Sequence, residues 1–417
     1  LCYPQTWHRV KAFFRRLRCR EMGMLLFVVA YYVVGCMVHT GRYTNIFRAN
    51  DMLLFDTVLC MLLMVPLSVA LGKEKGKKLV DAVLHGVMLF STAFVCWALW
   101  HLFSLKPVDL PNGLQSGMMA SYTFYPGVNQ NIGAAIGVTM AMICLYMIAT
   151  QGKILKIVYG VFLVPHVFAV LMTNSRGNYL ALLVAFALVS FGCVWNLMGK
   201  KTLALRIVGS VMAAVVCGVA FSFVRSGAFQ LFERVTHFGE LLHPASAGTA
   251  EAAASVRDIE IDEVRLSIWK AALKHMVSSP YTFFFGTPSS LIPDAINEAL
   301  IQLQGKGGMY AHAHNAILQT GLMLGVPGML GLVAFLVMML VRCIRVVFGR
   351  AQQALRGGWI LPVMLAAVLV VNMFEAFLLF YYAVIACLFF LICGLVIAVD
   401  QDTQLQAAAN RNNHRKG

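Results

Sequence analysis

Acidic side chains are scarce in this 417-residue chain: 18 Asp and Glu stand against 33 Lys and Arg, and charged residues make up only 12%. That is about half the charged share of soluble globular domains, so a water-soluble surface is excluded. Cysteine is missing from the two longest stretches without a span, residues 104–130 and 225–313, although the whole chain has 11. Neither a disulfide framework nor a zinc spacing is implied.

What the chain has instead is 60% hydrophobic residues and a mean hydropathy of +0.76, the composition of a polytopic membrane protein. A spanning helix needs about 20 mostly apolar residues. About ten stretches qualify: 22–40, 52–72, 79–103, 131–150, 157–174, 178–198, 205–224, 315–341, 358–376 and 378–399. The net charge is +15, but the basic residues sit in short segments between spans, which argues against a nucleic-acid partner. With the amino terminus cytoplasmic, about 22 of the 33 Lys and Arg fall on inside segments, as the positive-inside rule requires. Both termini are then cytoplasmic. The run "RVKAFFRRLRCR" (9–20) reads as a topology signal lying against anionic lipid. The first apolar run is long enough to span and to serve as its own insertion signal.

The expected fold is therefore an all-α integral membrane bundle of about 10 helices (10–12), with a large, partly helical external loop and no internal repeat. N-terminal transmembrane helices fill 1–224, the loop 225–313, C-terminal transmembrane helices 314–400, and a cytoplasmic tail 401–417. A connection of that length is functional or disordered, and "DEVRLSIWKAALKHMVSSP" (262–280) predicts order. Val264, Ile268, Ala271, Ala272 and Met276 recur at helical spacing, with Asp262 as a cap and Pro280 beyond the end. Arg265 and Trp269 are four apart and share a face. The pattern suits an amphipathic helix on the membrane surface with a tryptophan anchor.

Ionisable side chains inside hydrocarbon cost about 2.5–3.5 kcal/mol on insertion scales, and here they gather at one boundary. "TNSRGNYLALLV" puts Arg176 in a tight turn between two spans, beside Asn174, Ser175 and Gly177. Such a turn either lets Arg176 snorkel to lipid phosphate or lets backbone N–H groups and a guanidinium converge on an anion. His314 stands in the same layer. His312 competes with it, although two residues along a helix would point it elsewhere. The run "HNAILQTGLMLGVPG" is broken by Gly321, Gly325, Pro327 and Gly328, which predicts a short helix, a kink and then a span, holding His314 at the lip of a cavity. "RDIEIDEVR" packs Asp258, Glu260, Asp262 and Glu263 together, a set that reads as a solvated face or, alternatively, as hard-cation ligands. His166, Asp56 and Asp81 read as structural; Glu375, in the last external turn, could instead steer an acceptor or balance an arginine.

These motifs resemble those of the bacterial O-antigen ligase and O-antigen polymerase superfamily. Its R-x-x-x-L motif is matched by Arg176 to Leu180 in "RGNYL", and its histidine motif by His314, Asn315, Gly325 and Gly328, with Met329 a departure from the usual last residue. A loop arginine some fifty residues before the histidine is matched by Arg265, and "GVNQNIGA" (127–134) looks like the family's asparagine-containing start of a span. The resemblance implies transfer of a glycan from undecaprenyl pyrophosphate to an acceptor hydroxyl of lipid A-core or another glycan. It places the protein in the bacterial inner membrane, with the active site facing the periplasm and no metal or other cofactor. On that reading Arg176 and Arg265 hold the diphosphate and His314 is the general base of an inverting displacement. Asn315 orients the ring or a sugar, while Tyr179, Ser175 and Trp269 complete the substrate-binding set. The alternatives are a polymerase of the same superfamily and, in a different class, a flippase for lipid-linked sugars. A flippase would want its cations through the whole membrane depth rather than at one face.

Overall fold

The structure, a computed structural model, describes residues 11, 14–42, 49–103, 108–109, 115–116, 130–173, 175–199, 201–242, 263–305, 310, 312–348, 358–376 and 383–414. Asn174 and three of the four clustered acids, Asp258, Glu260 and Asp262, lie outside these residues, as do the side chains of Asp56, Glu263 and Val264. The chain is all-α and polytopic, with helices α1 (Arg20–Arg42), α2 (Ala49–Phe103), α3 (Gln130–Thr150), α4 (Lys153–Met172), α5 (Arg176–Leu197) and α6 (Leu203–Leu242). They are followed by α7 (Glu263–Met276), α8 (Pro280–Phe285), α9 (Ile292–Gln304), α10 (Ala316–Phe348), α11 (Ile360–Phe374) and α12 (Ala383–His414). A two-residue antiparallel pair, β1 (Val108–Asp109) with β2 (Gln115–Ser116), is the only strand pairing among the described residues.

Eight of these helices are long and apolar enough to cross a membrane. Two features account for the difference from the ten apolar stretches. Residues 52–72 and 79–103 both lie in α2, which is two helical segments that meet at Gly72, whose φ 71° and ψ 179° are not helical. Helix α11 is apolar but only 15 residues long, short of the about 20 that span.

The residues form two compact units. The first comprises residues 1–80, 261–355 and 372–417. In it α10 packs against α1, α7, α8 and α12. The expected kink is present: Gly325 breaks α10 at φ 69°, a left-handed value that disfavours side chains. A Cβ there would collide with the carbonyl oxygens of Phe283 and Phe284, so the α8 backbone docks directly on the break. The Thr287 amide, just past α8, donates to the Leu322 carbonyl at 2.7 Å. Helix α7 forms as its spacing predicts, and Ile268, Ala271, Ala272 and Met276 are buried. That face packs on α9 and α10. At the other end of α10, Arg342 is clamped by Glu21 (Nε–Oε1 2.8 Å, Nη2–Oε2 3.1 Å) and by Asp400 (Nη1–Oδ2 2.6 Å).

The second unit comprises residues 81–260 and 356–371. Helix α3 is almost entirely buried, packing on α4 and α5, and α5 packs on α6. Helix α6 turns Val208, Val211, Val215, Val219 and Phe223 outward, an apolar face that lipid solvates and water does not. Asp81 accepts from Tyr146 at 2.8 Å and from Gln151 at 3.1 Å, and His166 bonds Thr92 at 3.2 Å.

Candidate functional site

The site in the first unit begins with the start of α10. A helix leaves its first N–H groups without partners; the Asn315 side chain accepts from the amides of Ile317 (3.0 Å) and Leu318 (3.1 Å), and its own amide donates to the Met373 carbonyl at 3.2 Å. Asn315 thus ties the start of α10 to the end of α11. Before it, His314 takes φ 49°, the only positive φ outside glycine among the described residues. Such a conformation costs about 1–3 kcal/mol and marks a constrained site. It also explains why spacing misplaced His312. The left-handed turn swings both rings to one side, with centroids 4.1 Å apart, and the His314 amide donates to His312 Nδ1 at 3.2 Å.

Glu375, one residue past α11, is the hub. It is 3% exposed, and a buried carboxylate needs partners to stay charged. Arg265, in the first turn of α7, supplies Nη2 at 3.1 Å to Oε1, and His314 supplies Nδ1 at 3.1 Å to Oε2. The Arg265 guanidinium also lies 5.9 Å from the centre of the Phe374 ring, within cation–π range. A carboxylate only accepts, so Nδ1 of His314 carries a proton, and in the neutral ring the lone pair is on Nε2. Nε2 has no hydrogen-bond partner among the described residues, and the side chain is 23% exposed. The ring is therefore fixed by Glu375 at Nδ1 with Nε2 left open.

His312 is its neutral neighbour. Burial pushes its pKa down to about 3, with His314 and Arg265 adding repulsion. The ligand atoms of His312, His314 and Glu375 lie within 4.8 Å of one another, a spacing a metal ion could use. His312 Nδ1 and both Glu375 oxygens each accept one hydrogen bond in this arrangement, and a cation there would sit beside the Arg265 guanidinium.

In the second unit, Arg176 is the half-buried first residue of α5. The preceding Ser175 does not cap the helix; its hydroxyl donates to Asn131 Oδ1 at 2.8 Å, and Asn178 donates to the Asn131 carbonyl at 2.9 Å. The arginine turn is thereby fastened to the start of α3. Tyr179 is buried between the Phe221 ring (5.4 Å, stacked) and the Arg225 guanidinium (4.5 Å). Sequence reasoning missed Arg225 by ending the span at 224. Residues 225–242 contain no proline, and α6 continues through them. Trp269 is half-buried on α7, and its Nε1 finds no acceptor among the described residues.

Fold and site together define a polytopic α-helical membrane protein that presents an arginine, a carboxylate and an oriented imidazole beside one another. Residues 161–333 match the family model described as O-antigen ligase. The similarity is to the O-antigen ligase and polymerase superfamily, whose members act as glycan ligases or polymerases on lipid-linked glycans. That stretch holds Arg176, Arg265, His314 and Gly325 but ends before Glu375. No curated protein matches the chain.

Proposed function

We propose that this protein is a membrane glycosyltransferase of the ligase type, moving a glycan from undecaprenyl pyrophosphate to a hydroxyl of lipid A-core on the periplasmic face of the inner membrane. The observation that carries the reading is His314, held by Glu375 with its Nε2 open, beside a cation suited to diphosphate. In the step envisaged, Nε2 takes the acceptor O–H proton as the oxygen bonds the anomeric carbon. The bond from that carbon to the diphosphate breaks, and its electron pair leaves on the phosphate oxygen. Arg265 stabilises that developing charge through paired N–H donors, and Arg176 is carried over from the family resemblance alone as a diphosphate ligand. Attack opposite the leaving group inverts the anomeric centre, and the guanidinium groups supply the positive charge a metal would otherwise bring. Ser175 and Tyr179 shape the Arg176 turn, Asn315 positions His314, and Trp269 borders the substrate.

The test is an assay of purified protein with a lipid-linked glycan donor, offering lipid A-core or a second lipid-linked repeat as acceptor, with and without chelator. Product on lipid A-core alone supports the ligase. Chain growth on the second acceptor reassigns the protein as the superfamily's polymerase. Loss on chelation refutes the metal-free mechanism.

A further inference from the structure

Glu375 holds two groups with opposed interests. Arg265 neutralises the carboxylate, while His314 becomes a stronger base the more of that negative charge it feels. Each oxygen has one partner, at the same 3.1 Å. In this unliganded arrangement the guanidinium therefore damps the base. A diphosphate reaching Arg265 would draw the guanidinium's charge onto phosphate oxygens, since phosphate and guanidinium pair bidentately. Glu375 would then act on His314 almost alone.

Resting on the reading of Arg265 as a diphosphate ligand, we infer that Glu375 is a positioning residue that couples donor capture to base strength: an organic diphosphate on Arg265 raises the proton affinity of His314. The order of events follows. Before the donor binds, Glu375 is shared between Arg265 and His314. Once the donor is bound, the base that must deprotonate the acceptor is strengthened.

The charged and titratable groups around the ring, among the described residues, are Glu375 after α11, Arg265 on α7 and His312 in the same loop. His312 stays neutral throughout. Lys270, His275 and Glu298, on α7 and α9, make no hydrogen bond, ion pair or ring contact with His314. His39 on α1 bonds Tyr281 instead. Among the described residues, no other charged or titratable side chain on these elements, Lys274 and Asp294 included, bonds His314.

The experiment is calorimetric titration of the full-length protein in detergent with geranyl diphosphate near neutral pH, in two buffers of different ionisation enthalpy, which yields the protons taken up on binding. Wild type should take up a substantial fraction of one proton, and His314→Gln should lose that uptake, which subtracts protonation of the diphosphate itself. Glu375→Gln should still bind but keep less than half of it, because the ligand's direct field on His314 persists while the relay is gone. Equal uptake by Glu375→Gln and wild type overturns the coupling. So does wild-type binding without uptake. Failure of wild type to bind refutes the diphosphate reading of Arg265 and the coupling together. Binding with His314-dependent uptake in a protein that transfers no glycan sustains the coupling and rejects only the proposed reaction.

Discussion

The two ends of α10 carry contrasting ion clusters, separated by roughly 40 Å of helix. At the Arg342 end a permanently charged guanidinium meets Glu21 bidentately and Asp400 singly, and Asp400 also accepts from Arg345 (3.3 Å) and Gln404 (3.0 Å). That cluster joins α1, α10 and α12, its Arg342 side chain is 11% exposed, and Glu21 and Asp400 are more deeply buried still. At the His314 end the carboxylate is shared between a guanidinium and a titratable ring on strained backbone, and that ring is about a quarter exposed. Both ends satisfy the rule that buried charge must be paired. Only the second leaves a basic atom open to a substrate. A saturated cluster holds helices together, and an unsaturated one leaves an atom free to react.

Substitutions at the two ends should therefore fail in different ways. His314→Ala removes the base and should cut transfer by about 10²–10⁴-fold, with helical content and detergent melting close to wild type. Turnover within twofold of wild type would erase the contrast. Arg342→Met should do the reverse: it strands Glu21 and Asp400 as buried, uncompensated charges and costs about 3–5 kcal/mol of stability. The check is a chemical-denaturation or thermal midpoint in detergent. A normal midpoint with impaired transfer would mean that the Arg342 end takes part in the reaction.

Much of this contrast was legible in the sequence and some was not, for reasons of range. The α10 kink is a local matter, written in Gly325, Pro327 and Gly328, and the buried face of α7 follows from its spacing. His314 stood out as an ionisable group at a membrane boundary, and Arg265 came from the resemblance to the family's loop arginine. Glu375 stood out as a residue that could balance an arginine, but which arginine, and the pairing with His314, were hidden because Glu375 follows His314 by 61 residues and meets Arg265 across 110, separations no local pattern encodes. Helical periodicity placed His312 away from His314, but the left-handed residue lies outside the helix, where that periodicity does not apply. Arg225 was lost because an apolar span was ended where its charge began, although the helix goes on.

Smaller effects sharpen the comparison at the His314 end. Gly325→Ala must adopt a left-handed φ and meet the Phe283 and Phe284 carbonyl oxygens. We expect a loss of at least about 1–3 kcal/mol, seen as a lowered melting midpoint, with transfer impaired as well because the kink aims the helix that starts beside His314. Gly305→Ala, also at positive φ but with no neighbouring atom in the way, should lose less stability and keep its transfer rate. Equal losses at the two glycines would show that the kink has no role in placing the histidine.

The smallest effect is one of pH. Folded His312 binds its proton only near pH 3, whereas in the unfolded chain it does so near the ordinary 6.5. Between those values the unfolded state holds more protons, so stability falls as pH falls through that window and is flat above it. The contribution is thus complete at neutral pH and drains away on acidification from about 6.5 towards 3. His312→Asn keeps a side-chain acceptor for the His314 amide but does not titrate, so its melting midpoint should drop less between pH 7 and pH 5 than that of wild type, as differential scanning fluorimetry can measure. The Arg342 end brings no imidazole to its cluster, and Arg342→Lys should leave the same acid slope unchanged. If His312→Asn and wild type trace parallel curves, His312 is not held neutral by its surroundings, and the reading of it as the neutral neighbour of His314 is wrong.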